Sequence, residues 1–162
     1  MGQKKHHYHF HLQKPEDIYN LAMMAASSFS EPEEVFTGIY ELLINAVEHG
    51  NLGIGSEKKG QLLREGSWQD EMHRRLSAPD NANKMVNIEV VEEQNHCKIT
   101  ITDQGSGFNW KASIDYDINH NRPHGRGLWI VLNSGFDSVT FNEDGNSVTC
   151  ELKSGRKKRA KP

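Results

Sequence analysis

The chain has 162 residues, 35% of them hydrophobic and 25% charged, which suits one soluble globular domain with a sizeable core. No apolar run approaches the roughly 20 residues that span a bilayer, so membrane insertion is not expected. The net charge is −3, but Arg156, Lys157, Lys158, Arg159 and Lys161 crowd the last residues; the rest carries 14 basic against 22 acidic residues, a net of −8, a poor surface for nucleic acid.

The opening residues, MGQKKHHYHFHL, lack the apolar stretch of a secretory leader, and Gly2 is not followed by a myristoylation pattern. His6 to Leu12 alternate imidazoles with Tyr8, Phe10 and Leu12, as an edge strand would. Four histidines, His6, His7, His9 and His11, could also bind a metal adventitiously. Pairing with a twin, or covering a sheet edge, are both open roles for this strand.

Pro15, Glu16 and Asp17 open a helix expected to run to about Ser28. A second helix is expected to follow a capping box, with Ser30 as the cap, Pro32 just inside and Glu33 three residues on. Val35, Phe36, Ile39, Leu42, Leu43 and Ala46 recur at helical spacing, and Gly50 ends the run. From about 53 to 80 the chain turns polar, with Leu62, Leu63, Trp68, Met72 and Leu76 scattered through it. A helix or helical hairpin covering one edge of the domain is expected there.

Strands follow at Met85–Glu92 and Cys97–Thr102. A glycine turn comes next, then the stretch SIDYDINHNRP and a short helix near Gly127. Two further strands, Phe136–Phe141 and Val148–Leu152, are joined by the hairpin turn NEDGN. This order predicts an α+β two-layer sandwich, with a mixed, largely antiparallel sheet and helices on one face. One domain is expected over 6–153, with the insert at about 53–80 and a basic, disordered tail over 154–162. Cys97 and Cys150 are read as small buried side chains in a reduced, cytoplasmic protein. Neither a strand-then-glycine dinucleotide order nor a P-loop pattern is present.

Three polar stations interrupt the apolar pattern. Asp103 falls on the strand parity of Cys97, Ile99 and Ile101, and a carboxylate there needs hydrogen-bond donors. With Gly105 and Gly107 beside it, it suits an acceptor for a flat base with an exocyclic amine, adenine being the natural candidate. The plainer alternative is a strand-end aspartate bonded into its own turn. On the second helix Glu41 and Asn45 stand four apart on one face, and Glu48 and His49 continue the polar side. Asn45 is suited to ligate magnesium and Glu41 to take a proton; a solvent-facing stripe, with His49 satisfying a neighbour, is the alternative. In HGRGLWIV, Gly125 and Gly127 flank Arg126 just before a helix, where backbone N–H groups can cradle phosphates. Arg126 either adds charge at the terminal phosphate or forms a surface salt bridge, while Leu128 and its apolar neighbours anchor the helix.

These segments resemble the boxes of the superfamily that joins histidine-kinase catalytic domains, DNA gyrase, the MutL repair proteins and a heat-shock chaperone. ELLINAVEHG is similar to its N box, DQGSGF to its adenine box and GRGL to its final glycine box, over roughly Asp17 to Leu152. Within it the chain looks most like the bacterial anti-sigma factor serine kinases, with the ATP-binding domain standing nearly alone. The resemblance implies a Bergerat-type fold that binds ATP with Mg2+. It implies Glu41 as general base, Asn45 as magnesium ligand and Asp103 as adenine acceptor. It further implies nucleotide contacts from His49, Gly105, Gly107, Phe108, Gly125, Arg126, Gly127 and Leu128.

The implied activity is transfer of the terminal phosphate to a serine or threonine of a small regulatory protein, antagonist-like or a sigma factor. Alternatives are a nucleotide-dependent binding module, with residues 113–124 ordered by ATP, and a plain ATPase. One departure from the short kinases is clear. They pass quickly from the N box to the next strand, whereas residues 52–84 intervene here, and the stretch before Gly125 lacks a lysine-rich phosphate contact.

Overall fold

A computed structural model of the chain describes residues 5–113 and 127–155. Gly125, Arg126, the stretch SIDYDINHNRP beyond Ser113, and the basic residues from Arg156 onward lie outside the described residues.

Five strands form one sheet: β1 (His6–Leu12), β2 (Val86–Glu93), β3 (His96–Thr102), β4 (Ser138–Phe141) and β5 (Ser147–Lys153). Their order is β1-β2-β3-β5-β4, and all four pairings are antiparallel. The expected mixed sheet is thus antiparallel throughout its described strands, and β1 sits at an edge as its alternation suggests.

Register follows the period of two. Leu12 pairs with Val86 and Phe10 with Ile88; Ile88 in turn faces Ile101, and Ile101 faces Val148. This parity forms one wall of the core. The opposite parity carries His7, His9, His11, Thr100 and Thr149 toward solvent. A slip of one residue would exchange the two faces, so the burial of one face fixes the register.

Helices cover the apolar face: α1 (Ile18–Ala26), after a 3-10 turn at Pro15–Asp17, and α2 (Pro32–Asn45), with α3 (Ser56–Glu65), α4 (Trp68–Leu76) and α5 (Gly127–Asn133) completing the set. The central helix α2 packs against both α1 and α5. Val35, Ile39, Leu42 and Leu43 are buried on it, against Ala22, Ala25 and Ala26 of α1, whose small side chains allow close approach. Each fully buried Val, Leu or Ile contributes about 1.5–3 kcal/mol.

The start of α2 differs from the expected capping box. Glu31, not Ser30, occupies the N-cap position, and no side-chain cap hydrogen bond forms. Pro32 is the cause: a proline suits the first helical position, so the cap falls on the residue just before it. The other end differs too. The sequence predicts an α-helix that stops at Gly50, but α2 instead widens into a π-helical turn at Ala46–Asn51. The Leu52 N–H donates to the Val47 carbonyl, five residues back, at 2.9 Å.

The polar insert is the helical hairpin α3–α4. Phe136 is not in a strand; it is buried and meets Phe29 edge-on at 5.7 Å between ring centroids. Cys97 and Cys150 are free and buried, and burial pushes both thiols up to about 12. Among the described residues no helix is long and apolar enough to cross a membrane.

Candidate functional site

The polar stations meet along α2 and its π turn. Glu41 and Asn45 are spaced i, i+4 on one face of α2, and Glu48 follows in the π turn, near enough to act on the Glu41 carboxyl. The first residue of α5 lies directly over the upper two. A Cβ on Gly127 would stand 3.1 Å from Glu41 Oε2, 3.4 Å from Asn45 Nδ2 and 3.7 Å from Asn45 Oδ1. Glycine here lets a helix start come within contact of a carboxylate and an amide. Leu128, next to it, is buried, and Val131, one turn on, joins α5 to the core.

Burial raises the Glu41 carboxyl above its ordinary value; Lys59 opposes that shift and Glu48 reinforces it. A carboxylate held this way is a better proton acceptor than a free surface glutamate.

Asp103 joins the other end of the same element. A Cβ on Gly50 would stand 2.3 Å from Asp103 Cγ, and one on Gly105 would stand 2.3 Å from the Gly50 carbonyl oxygen. The Gly105 N–H donates to Asp103 Oδ1 at 2.8 Å, so the aspartate bonds into its own turn as the plainer reading has it. Burial also raises Asp103, against lowering by the Gly105 N–H and by Lys84.

Asn51 locks this junction. It is buried, its Oδ1 accepts the Gln104 N–H at 2.7 Å, and its carbonyl accepts Lys84 Nζ at 3.1 Å. Neither Gly50 nor Asn51 is singled out by sequence reading as part of the site. Their role depends on contacts with the end of β3, some fifty residues away along the chain, and local spacing carries no trace of it.

His49 turns away from the stripe and donates its Nδ1–H to the Ile54 carbonyl, so it satisfies a neighbour. Gly107 has φ +77°, and a Cβ on it would stand 1.8 Å from the Asp144 carbonyl oxygen. The close approach that Gly105 and Gly107 permit is therefore to other backbone of this chain. Phe108 is exposed and meets Phe141 edge-on at 5.7 Å. A shallow depression of about 350 Å³ lies between 106–111 and the β4–β5 turn; Glu41, Asn45 and Asp103 are not among the residues lining it.

Among the described residues no group of three or more His, Cys, Asp or Glu side chains could hold a metal ion. The amide of Asn45 is nevertheless a hard oxygen donor of the kind magnesium accepts singly, since that ion retains several waters and phosphate oxygens.

The insert closes on the lower end of the stripe. Glu48 is buried, and its Oε2 lies 2.5 Å from Lys59 Nζ of α3. The Lys59 ammonium also sits 5.2 Å over the Trp68 ring of α4. Arg75 of α4 donates to the carbonyls of Leu52 at 2.7 Å and Gly53 at 3.1 Å. No family model matches the chain, and no curated protein matches it at significant similarity.

Proposed function

We propose that this protein is an ATP-dependent serine/threonine kinase of the anti-sigma factor type, acting on a small regulatory protein. The observation that carries the reading is the single element α2 with its π turn. It holds Glu41 and Asn45 together under Gly127 at one end, and seats Gly50 against Asp103 at the other. On this reading an elongated ligand runs along the element, its base at Asp103 and its phosphates toward Asn45.

On this reading Asp103 accepts a hydrogen bond from the base through the oxygen not engaged by Gly105. Asn45 Oδ1 would hold magnesium. Bound ATP would supply the phosphoryl group, and the metal would neutralise charge developing on it. Glu41 orients the acceptor hydroxyl and takes its proton as the new oxygen–phosphorus bond forms and the bond to the leaving diphosphate breaks. The raised proton affinity of Glu41 supports that role. Positioning and electrostatics account for most of the expected rate gain.

The test is transfer of label. Purified chain, labelled ATP, magnesium and a small antagonist-type protein are incubated, and the label is located by mass spectrometry. Label on serine or threonine, lost in Glu41→Gln while ATP still binds, supports the kinase. ATP bound without transfer overturns it in favour of a binding switch.

A further inference from the structure

The stripe Glu41–Asn45–Glu48 is a poor place for phosphates as it stands. Two of its three side chains are carboxylates, and Arg122 and Arg126 lie outside the described residues. Among the described residues, the cation that reaches the stripe comes from the insert. Lys59 is held at 2.5 Å by buried Glu48, its ammonium lies over Trp68, and its field reaches Glu41. It is not a free surface lysine: its side chain is 30% exposed, against 61% for Lys5 on the sheet edge. The hairpin that carries it is pinned by Arg75 to the backbone of Leu52 and Gly53, directly after the π turn.

An ammonium has more than one N–H donor. Lys59 can therefore keep Glu48 and still offer a donor to a ligand on the stripe, where its field already reaches Glu41.

We propose that Lys59, borne by the α3–α4 hairpin and aimed by Glu48, is a phosphate-binding cation of this site, selecting nucleoside di- and triphosphates over monophosphates. This rests on the nucleotide reading above and adds to it. The insert thereby acquires a role in binding, through a lysine carried by residues 56–65. Glu48 is then a positioning residue, paired with the ammonium it aims.

Calorimetry on the full chain with magnesium and ATP, ADP or AMP tests it. Removing Lys59 alone would strand a buried carboxylate, so the variant is Lys59→Met with Glu48→Gln, since exchanging both members of a buried pair is far better tolerated than breaking it. ATP and ADP affinity should fall about tenfold, the loss of one charge-assisted hydrogen bond, and AMP affinity should change less than about twofold. Lys59→Arg should keep most of the ATP affinity.

Equal affinities of wild type and double variant for ATP overturn the proposal while leaving the nucleotide reading intact. So does an equal loss for ATP and AMP, which marks a structural pair. Failure of the wild type to bind any adenine nucleotide overturns both. Hydrogen exchange on the wild type gives a second readout that needs no variant. Protection of the α3 amides should rise with ATP and not with AMP, and an identical response to the two overturns the proposal.

Discussion

The backbone of Gly50 rests on the carboxylate of Asp103. A methyl group at position 50 would stand 2.3 Å from Asp103 Cγ and 2.6 Å from each of its oxygens. Gly50→Ala must therefore push the π turn off β3 or drive the carboxylate from its seat. Overpacking of this kind costs about 1–3 kcal/mol. Urea denaturation should show that loss, and adenine-nucleotide affinity should fall with it. Gly60→Ala is the contrast. It sits within α3, where a Cβ meets only Arg64 Nη1 at 3.4 Å, so it should gain about 0.5–1 kcal/mol from helix propensity. A Gly50→Ala protein as stable as wild type would show that the contact is dispensable.

Glu41 gives a prediction with a definite sign in pH. Its carboxyl is raised above 4.5, chiefly by burial. A raised folded-state value means the native state holds the proton more tightly than the unfolded chain. The associated stability is fully present below 4.5 and is lost as pH rises through the shifted value. Glu41→Gln escapes that loss. Its melting temperature should exceed that of wild type at neutral pH, and the gap should close on acidification below 4.5. A gap that widens in acid would contradict the assignment. In the transfer assay the same variant should lose about 10²–10⁴-fold in rate, the range for removing a general base.

Gly107 is set by two constraints at once, φ +77° and backbone of the β4–β5 turn where a Cβ would go. Gly107→Ala should cost more than about 2 kcal/mol, the sum of a left-handed penalty and a backbone clash. The damage should extend to Trp110, which donates its indole N–H to the Asn142 carbonyl at 3.1 Å and stacks on Phe141. Tryptophan fluorescence should shift along with the unfolding midpoint.

Arg75 ties the insert to the domain through the Leu52 and Gly53 carbonyls, while Glu71 braces it at 2.7 Å. Arg75→Ala should cost about 1.5–3 kcal/mol, as for hydrogen bonds made by a charged group. Limited proteolysis should then cut near Leu52–Ile54 faster in the variant than in the wild type. Cleavage at the wild-type rate there would rule out Arg75 as the anchor.

Much of this architecture is legible in the sequence, because it rests on short periods. The bounds of β1 follow from the alternation of His6–Leu12, and the parity of Cys97, Ile99 and Ile101 puts Asp103 on the core side. The pairing of Glu41 with Asn45 follows from helical spacing. What depends on distant partners is not legible. Ser30 reads as a cap, but Pro32 settles the helix start one residue later. Phe136 reads as strand, but Phe29 holds it in the helical layer. Among the basic side chains of the insert, nothing in the local pattern says that Lys59 faces inward; buried Glu48 on the facing element decides it.

The wide turn at Ala46–Asn51 has a consequence for how the chain tolerates length changes. A π turn takes up more residues than an α turn over the same rotation, so deleting one of them would let the segment rewind as ordinary α-helix. Because the rotation is the same, the flanks of the turn would keep their phase about the axis. Glu41 and Asn45, upstream, would stay where they are, and the hinge of the insert would keep its direction. The turn is therefore the place in this rod where a one-residue change of length is absorbed, with one half still facing α5 and the other β3.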